Sequence, residues 1–447
     1  MKKAILLLIC LPAILTASAQ NALPPAMKAA FDRIIDAKFK PDEPGGTVLI
    51  AKKGEVIYTR GFGMANLELG VRMQPDMVFQ TGSMTKQFTA ICILQLAEQG
   101  KLKVTDPLSN YITDSPDAWK PVTLENLMTH SSGIADQPNW QNFSVNDLIT
   151  NAKGRPLAYT PGTKVAYNNI EFMLLGKVIE KASGMSYRDY LKQYILQPLG
   201  MQHTYYNDNM NIIPERVPCY IKTRNGSFAN INAGINPSAA GALLSNTRDM
   251  LIWNQGLVTG KLVKKETLEK AWTPYRLHDG SASRFGYGWQ VGGEIQDSPI
   301  IEHSGIATGY ATEAFYMPKE EVYVAVFLNQ RGIIPEVIAE DLAATLIGKP
   351  YQMQEISLSD ERLQAYSGVY EDSDSVKRTL TVTDHHLYYQ RTDGPKLRMI
   401  PYAPDQFYFD NTSSITLIKR DAQGQVTGLE SRDKRYLSAP GQILKKL

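Results

Sequence analysis

The chain has 447 residues, 43% of them hydrophobic and 21% charged, which is the composition of a folded soluble protein. A chain of this length is too long for a single hydrophobic core of ordinary size, so we predict two domains plus processing segments. The formal net charge of +2, from 47 basic and 45 acidic residues, gives no argument for nucleic acid or an anionic membrane as the partner.

The N-terminal segment at 1–19 has the pattern of a secretory signal peptide. A short positive region precedes an apolar stretch at 5–15 and a small-residue cleavage pattern at 17–19. We therefore predict an exported protein, periplasmic or extracellular, with no transmembrane segment in the mature chain. Lipid anchoring at Cys10 is disfavoured because that cysteine lies within the apolar stretch and follows a large residue.

Two cysteines follow the predicted cleavage site, Cys92 and Cys219. Cys92 falls in an apolar helical run, and we expect both to be buried free thiols, although an exported chain could pair them. The adjacent His385 and His386 lie in a strand-like run, where neighbours face opposite sides and cannot chelate together. The sequence therefore predicts neither a metal nor an organic cofactor.

The pattern of elements predicts an α+β domain at 22–350. The elements are a helix at 26–38, a β-hairpin at 46–51 and 55–60, a mostly helical region at 84–270, strands near 285–289, 312–316 and 322–327, and a helix at 335–347. Strands on both sides of a large helical insertion indicate one sheet built from both ends of the domain. The hairpin connections indicate that this sheet is mainly antiparallel and flanked by helices.

Short alternating β segments separated by turns follow from about Tyr366. They predict a small antiparallel all-β barrel or sandwich at 359–447. A linker at 349–358 separates this unit from the first domain, and we expect the two to fold independently.

Residues 83–86 form a Ser-x-x-Lys motif. Residues 431–434 also fit, but they lie in a strand-like run, where residues three apart face opposite sides. Ser83 instead opens an apolar helix that ends near Gln99, so Lys86 lies on the same face. Burial of this helix would lower the pKa of Lys86 and make it a base. The Ser83 N–H, near the helix N-terminus, is a candidate oxyanion donor.

The segment at 82–90, Gly-Ser-Met-Thr-Lys-Gln-Phe-Thr-Ala, resembles the nucleophile segment of the class C β-lactamase-related family. Other segments that resemble the family in the same order lie at 126–133, 167–169, 174–176, 183–184, 286–289 and 303–305. The resemblance spans about 26–347 and implies a β-lactamase/transpeptidase-like fold. The family includes class C β-lactamases, penicillin-binding proteins, D-alanyl-D-alanine carboxypeptidases, D-aminopeptidases and serine esterases.

The family's Tyr-x-Asn element maps onto Tyr167 and Asn169. Residues 205–207 also fit, but they lie in an Asn/Asp-rich loop without a following helix. Asn168, with Glu171 three residues on, is a good helix cap, which leaves Asn169 free to face a substrate. The resemblance implies that Tyr167 handles protons and that Asn169 binds an acyl-side amide.

The family's third element, Lys-Thr-Gly or His-x-Gly, maps onto His303 and Gly305. Residues 278–280 also fit, but Asp-Gly there is typical of a turn. Gly305 would let a substrate backbone approach the strand. By resemblance, the N–H of Ile306 is the second oxyanion donor, and His303 orients the tyrosine or contacts the leaving side of the substrate. We expect His130, in the Thr-His-Ser-Ser-Gly loop, to be structural.

These elements predict an exported serine hydrolase that acts through an acyl-enzyme on amide or ester bonds. Ser83 would lose its proton to Lys86 and Tyr167, which are close enough to titrate as a unit. His303 stands where the family's β-lactamases usually carry lysine, so attraction for an antibiotic carboxylate is weakened. This favours carboxypeptidase-like or esterase-like activity over β-lactamase activity. The expected partner is a small-molecule or peptide substrate with a reactive carbonyl.

Three other classes of protein compete with this prediction. A Ser-His-Asp hydrolase is disfavoured because the chain has no Gly-x-Ser-x-Gly elbow and no alternation of strands and helices. A class A β-lactamase would carry the serine of Ser-Asp-Asn where Tyr167 stands. A penicillin-binding or signalling module with little turnover stays open. The fold does not choose among esters, D-amino-acid peptides and β-lactams.

Overall fold

The structure is a computed structural model that describes residues 23–207, 210–223, 225–231, 238–351, 353–392, 394–410, 412–437 and 441–447. The predicted signal peptide and Cys10 lie outside these residues. Within the described part of the chain, no helix is long and apolar enough to cross a membrane. Cys92 and Cys219 are buried free thiols.

The first domain is built on strands and helices from both ends of the predicted region. Its strands are β1 (Gly46–Lys52), β2 (Glu55–Phe62), β3 (Met64–Asn66), β4 (Val71–Arg72), β5 (Phe79–Gln80), β6 (Tyr205–Tyr206), β7 (Tyr220–Lys222), β8 (Phe228–Asn230), β9 (Leu243–Ser245), β10 (Gln290–Ile295), β11 (Ser298–Ile306), β12 (Ala311–Met317), β13 (Val322–Leu328) and β14 (Gln330–Arg331). Its helices are α1 (Pro25–Asp36), α2 (Thr85–Glu98), α3 (Leu124–Met128), α4 (Val145–Ala152), α5 (Asn169–Ser183), α6 (Tyr187–Leu191), α7 (Gln197–Leu199), α8 (Thr247–Val258), α9 (Lys265–Ala271) and α10 (Pro335–Leu346).

A six-stranded antiparallel sheet, in the order β10-β11-β12-β13-β1-β2, forms the centre of this domain. The predicted α+β architecture with strands from both ends is confirmed. Alternate side chains of β1 enter two different cores: Val48 and Ile50 pack towards α1 and α10, whereas Leu49 packs towards the helical insertion. Because both faces are covered, the central strands are apolar along most of their length.

One strand was predicted in the wrong place, and several short strands were not predicted. The segment at 285–289 is a loop, and the strand begins only at Gln290. Gly286 packs so closely that a Cβ would lie 2.1 Å from Ala271 O, and Gly288 has φ of +78°. The helical region also contains β6, β7, β8 and β9, which are two or three residues long. Strands this short have too few residues to show a period of two.

The C-terminal unit is a closed antiparallel barrel, which confirms the predicted all-β unit. It follows helix α11 (Asp360–Tyr366), and its strands are β15 (Gly368–Glu371), β16 (Lys377–Thr383), β17 (His386–Arg391), β18 (Lys396–Ala403), β19 (Gln406–Tyr408), β20 (Ser414–Arg420), β21 (Val426–Asp433) and β22 (Gln442–Lys446). Alternate residues fill its interior, including Tyr370, Leu380, Leu387, Phe407, Leu429 and Leu444.

A buried ion-pair cluster crosses between the barrel and the first domain. Arg435 Nη1 lies 2.5 Å from Glu302 Oε2, and Arg435 Nε lies 3.3 Å from Glu340 Oε1. Lys434 Nζ lies 3.3 Å from Glu340 Oε2. Both glutamates are about 1% exposed, so their charges depend on cations that the barrel supplies. Independent folding of the two units stays a prediction, and these contacts indicate that the first domain is less stable without the barrel.

We predict that a chain ending at Pro350 is less stable than the full chain. Removing one partner of a buried ion pair costs about 3–5 kcal/mol, because the other charge stays buried without compensation. The measurement is Tm at pH 8 and at pH 5.5. Burial already raises the pKa of Glu340 to about 7, so protonation at the lower pH should reduce the loss. Equal Tm values for the two chains at pH 8 would contradict this prediction.

Candidate active site

Ser83 lies in a 3₁₀ turn, Gly82–Met84, that leads directly into α2. Gly82 has φ of +53°, and a Cβ there would lie 2.9 Å from the N and O atoms of Ile306. Only glycine allows this close approach of the turn to β11. The turn therefore brings Ser83 beside the backbone of Ile306.

Lys86 is fully buried, with 0% of its surface exposed. Its Nζ lies 3.0 Å from Ser83 Oγ, and it donates to Asn169 Oδ1 at 2.7 Å and to Ala240 O at 2.9 Å. In the described chain no carboxylate forms an ion pair with this amine. Burial therefore lowers the pKa of Lys86 well below its usual value near 10.5.

Tyr167 lies on the other side of the nucleophile. Its hydroxyl donates to Ser83 Oγ at 2.7 Å, and Lys86 Nζ lies 4.9 Å from its ring centroid. The residue is 41% exposed, yet desolvation on the protein side raises the pKa of its hydroxyl above the usual value. The phenol is therefore protonated at neutral pH in the free protein.

The two asparagines after Tyr167 have different positions. Asn168 caps α5 by accepting the N–H of Ile170 at 2.9 Å, which confirms the predicted cap. Asn169 is the first residue of α5, and it both contacts Lys86 and lines the cleft at Ser83.

His303 lies behind Tyr167, and the two ring centroids are 6.3 Å apart. Its Nδ1 lies 2.7 Å from Ser304 O, so this nitrogen carries the proton and donates to the backbone. Burial lowers the pKa of His303 to about 3, with a smaller contribution from Lys86, so the ring is neutral. No hydrogen bond joins His303 to Tyr167 in the described chain, and the contact between them is ring packing.

Gly305 and Ile306 form the edge of the site on β11. A Cβ at Gly305 would lie 1.9 Å from Thr81 O. Gly305 therefore lets β11 approach the backbone of Thr81, two residues before Ser83. Ile306 is 61% exposed, and with Ser83 and Asn169 it lines a cleft of about 380 Å³. The cleft can hold a carbonyl substrate between the serine and the strand edge. The roles of Gly305 and Ile306 towards that substrate stay predictions.

Glu171 and His130 form a buried pair that the sequence did not predict. Glu171 Oε2 lies 2.5 Å from His130 Nδ1, and Ser132 Oγ donates to Glu171 Oε1 at 2.5 Å. The N–H of Asn168 also donates to His130 Nδ1, at 3.2 Å. Glu171 was expected to complete the cap of α5, whereas its carboxyl points to the histidine. One signal in the sequence could have indicated this pair: a glutamate in the first turn of a helix that follows a Thr-His-Ser-Ser-Gly loop.

The pair is a neutral hydrogen bond. Burial raises the pKa of Glu171 well above 4.5 and lowers the pKa of His130 well below 6.5. Both shifts place the proton on the carboxyl, and the N–H of Asn168 agrees because it needs an acceptor at Nδ1. The His130 ring packs on Tyr167 with centroids 4.4 Å apart, so the pair supports the tyrosine.

The neutral state of Glu171 can be tested by substitution. Glu171→Gln keeps a donor for His130 and an acceptor for Ser132, so at pH 4 its Tm should stay close to that of the unsubstituted protein. Glu171→Ala should cost about 2–4 kcal/mol, because it leaves a cavity and unpaired polar groups. The protonated carboxyl contributes its full stability below about pH 4.5 and loses it as the pH rises towards its folded pKa. The stability of Glu171→Gln relative to the unsubstituted protein should therefore increase from pH 4 to pH 8, and a flat difference would contradict a neutral Glu171.

The antiparallel sheet, the helical insertion and the Ser-Lys-Tyr cluster define a serine hydrolase of the β-lactamase type. A family model described as Beta-lactamase matches residues 31–349. Because this match covers more than half of the 447 residues, the chain belongs to the beta-lactamase family.

Similar proteins agree with this assignment. Penicillin-binding protein 4* of Bacillus subtilis (strain 168) is 26% identical over 401 residues, which cover 81% of this chain and 87% of that protein. The octameric penicillin-binding protein homologue from Pyrococcus abyssi has a TM-score of 0.68 at 25% identity, over 94% of this chain and 99% of that chain. The D-amino acid amidase from Ochrobactrum anthropi SV3 shares the fold, with a TM-score of 0.61 at 19% identity over 72% of this chain and 99% of that chain.

Proposed function

We propose that the chain is an exported serine hydrolase that forms an acyl-enzyme on Ser83 and cleaves amide or ester bonds. The observation that carries the proposal is the position of one hydroxyl between two proton-handling groups. Lys86 Nζ lies 3.0 Å from Ser83 Oγ, and Tyr167 OH lies 2.7 Å from the same atom. Nucleophilic catalysis requires this arrangement, because a serine hydroxyl is a weak nucleophile until an adjacent group takes its proton.

Burial favours an uncharged amine at Lys86, and its hydrogen-bond partners can accommodate that form. Such an amine has two N–H groups, which Asn169 Oδ1 and Ala240 O accept, and its lone pair then faces the Ser83 hydroxyl. As Ser83 Oγ bonds to the substrate carbonyl carbon, its proton passes to Lys86 or through Tyr167. The leaving group takes up a proton and departs, and water then releases the acyl group with the same pair as base.

The N–H groups of Ser83 and Ile306 would stabilise the oxyanion that forms during attack. Asn169 accepts from Lys86 through its oxygen, and its amide N–H₂ is left to bind the acyl-side carbonyl of the substrate. His303 would support the ring of Tyr167 from behind, because the two rings pack without a hydrogen bond.

We propose carboxypeptidase-like or esterase-like activity in preference to β-lactamase activity. His303 is buried and neutral, so it supplies no fixed positive charge for the carboxylate of an antibiotic. The similarity of the fold to a D-amino acid amidase is consistent with amide substrates that contain D-residues. A penicillin-binding module with little turnover would share the acylation step and differ in the rate of acyl-enzyme hydrolysis.

The first test concerns the roles of the three residues. Ser83→Ala should abolish turnover, whereas Lys86→Ala and Tyr167→Phe should each lower kcat by about 10²–10⁴-fold. The double variant should be only slightly worse than either single variant, because both groups act on one proton. The matched control is Ser431→Ala, which removes the serine of the other Ser-x-x-Lys segment and should leave turnover unchanged. Mass spectrometry after slow acylation should find the adduct on the peptide that contains Ser83; an adduct on Ser431 would overturn the assignment.

The second test concerns the substrate class. We expect a p-nitrophenyl ester or a D-Ala-D-Ala peptide to be hydrolysed with a higher kcat/KM than nitrocefin. Penicillins should acylate Ser83 and turn over slowly, because His303 offers no charge for their carboxylate. The measurement is kcat/KM for all three substrates, with Ser83→Ala as the background. Nitrocefin hydrolysis far faster than both others would make the protein a working β-lactamase, and acylation without turnover of any substrate would favour the binding module.

A further inference from the structure

The barrel inserts a short segment, which we call the barrel plug and define as Lys434–Tyr436, behind the active-site strand. The plug is a 3₁₀ turn that follows β21. Tyr436 OH donates to Glu302 Oε1 at 2.7 Å, and Arg435 Nη1 lies 2.5 Å from Glu302 Oε2. Glu302 is the residue immediately before His303 on β11.

Arg435 lies within ion-pair distance of several acidic residues. Besides Glu302, its Nη1 lies 3.8 Å from Glu313 Oε2, and its Nε lies 3.3 Å from Glu340 Oε1. Asp433, on the barrel, accepts from Arg435 Nη2 at 3.0 Å and thereby holds the guanidinium in place. A planar guanidinium suits this task, because its five donors point in fixed directions.

Glu340 is also paired with Lys434, whereas the ion pairs of Glu302 and Glu313 depend on Arg435 within the described residues. Glu302 and Glu313 are 1% and 0% exposed, and in the part of the chain that the structure describes their ion pairs are made by Arg435. Neither carboxyl oxygen of Glu313 has a hydrogen-bond partner among the described residues. Burial raises the pKa of Glu313 well above its usual range, which favours the neutral acid there. Glu302 accepts hydrogen bonds from both Arg435 and Tyr436, so the position of β11 depends on the plug.

The same strands carry the catalytic edge on their other face. Side chains alternate along a strand, so Glu302 faces α10 while His303 faces Tyr167. Glu313 lies on β12 directly opposite Ser304 of β11. Beyond Ser304, Gly305 and Ile306 approach the backbone of Thr81 and Gly82 within van der Waals distance. A shift of β11 would therefore change the distance from the Ile306 N–H to Ser83.

We propose that Arg435 is a positioning residue for the active site, fixing β11 through Glu302 so that the Ile306 N–H faces the Ser83 nucleophile. The proposal rests on the proposed function, because it assumes that this N–H stabilises the oxyanion. The proposal gives the barrel a role in catalysis. The barrel supplies a cation that the sheet of the first domain needs.

The test measures kcat of full-length variants relative to the number of active sites that can still be labelled. Arg435→Gln should lower kcat per active site by about 10-fold or more, because a small misplacement of a catalytic group has a large effect on rate. KM should change little, since oxyanion stabilisation acts in the transition state. Arg435→Lys keeps the charge without the planar fork, so its loss should be smaller. Active sites are counted by exhaustive labelling with a fluorophosphonate, so unfolded molecules do not enter kcat.

The matched control is Arg378→Gln. Arg378 forms a buried ion pair with Asp372 at 2.7 Å inside the barrel, without contacting β11. This variant should lower Tm and leave kcat per labelled site unchanged. If Arg435→Gln behaves in the same way, the plug only holds the domains together and the proposal is wrong. Absence of Ser83-dependent hydrolysis in the unsubstituted protein would instead refute the proposed function.

Discussion

The burial of the Lys86 amine is the constraint on which the site depends. An ammonium group in this place would need a carboxylate partner, whereas the structure offers it a hydroxyl, an amide oxygen and a backbone carbonyl. The uncharged form therefore becomes accessible far below the usual lysine pKa. Helix α2 is buried for nearly its whole length because it is apolar on almost all sides, and it carries this amine into a dry interior.

Strand β11 links that interior to the substrate cleft. Gly82 lies against Ile306 and Gly305 lies against Thr81, so the nucleophile turn and the strand edge are in contact at two points. A contact this tight between backbones transmits displacement, since closely packed interiors have little room to relax. The geometry at Ser83 is thus set partly by what lies on the far face of β11.

The sequence could predict features that depend on local spacing. Ser83 and Lys86 share a helix face, and the barrel strands alternate regularly. Tyr167 could be found only through the family resemblance, because no local rule joins it to a serine 84 residues away. The contacts of Lys86 with Ala240 and of Arg435 with Glu302 span 154 and 133 residues. Sequence periodicity cannot predict such distant pairs. The loop at 285–289 was predicted as a strand from the β propensity of its other residues, which the close packing of its glycines overrides.

The protein places ionisable groups in its interior in three ways, and the differences explain their roles. Glu171 and His130 share one proton and remain neutral, so they can support Tyr167 without adding a net charge beside it. Glu302 is paired with a cation from the barrel, so its charge holds a strand in place. Lys86 has neither a shared proton nor a counter-charge in ion-pair contact among the described residues. Burial therefore favours its uncharged form, and an uncharged amine is what a base for Ser83 requires.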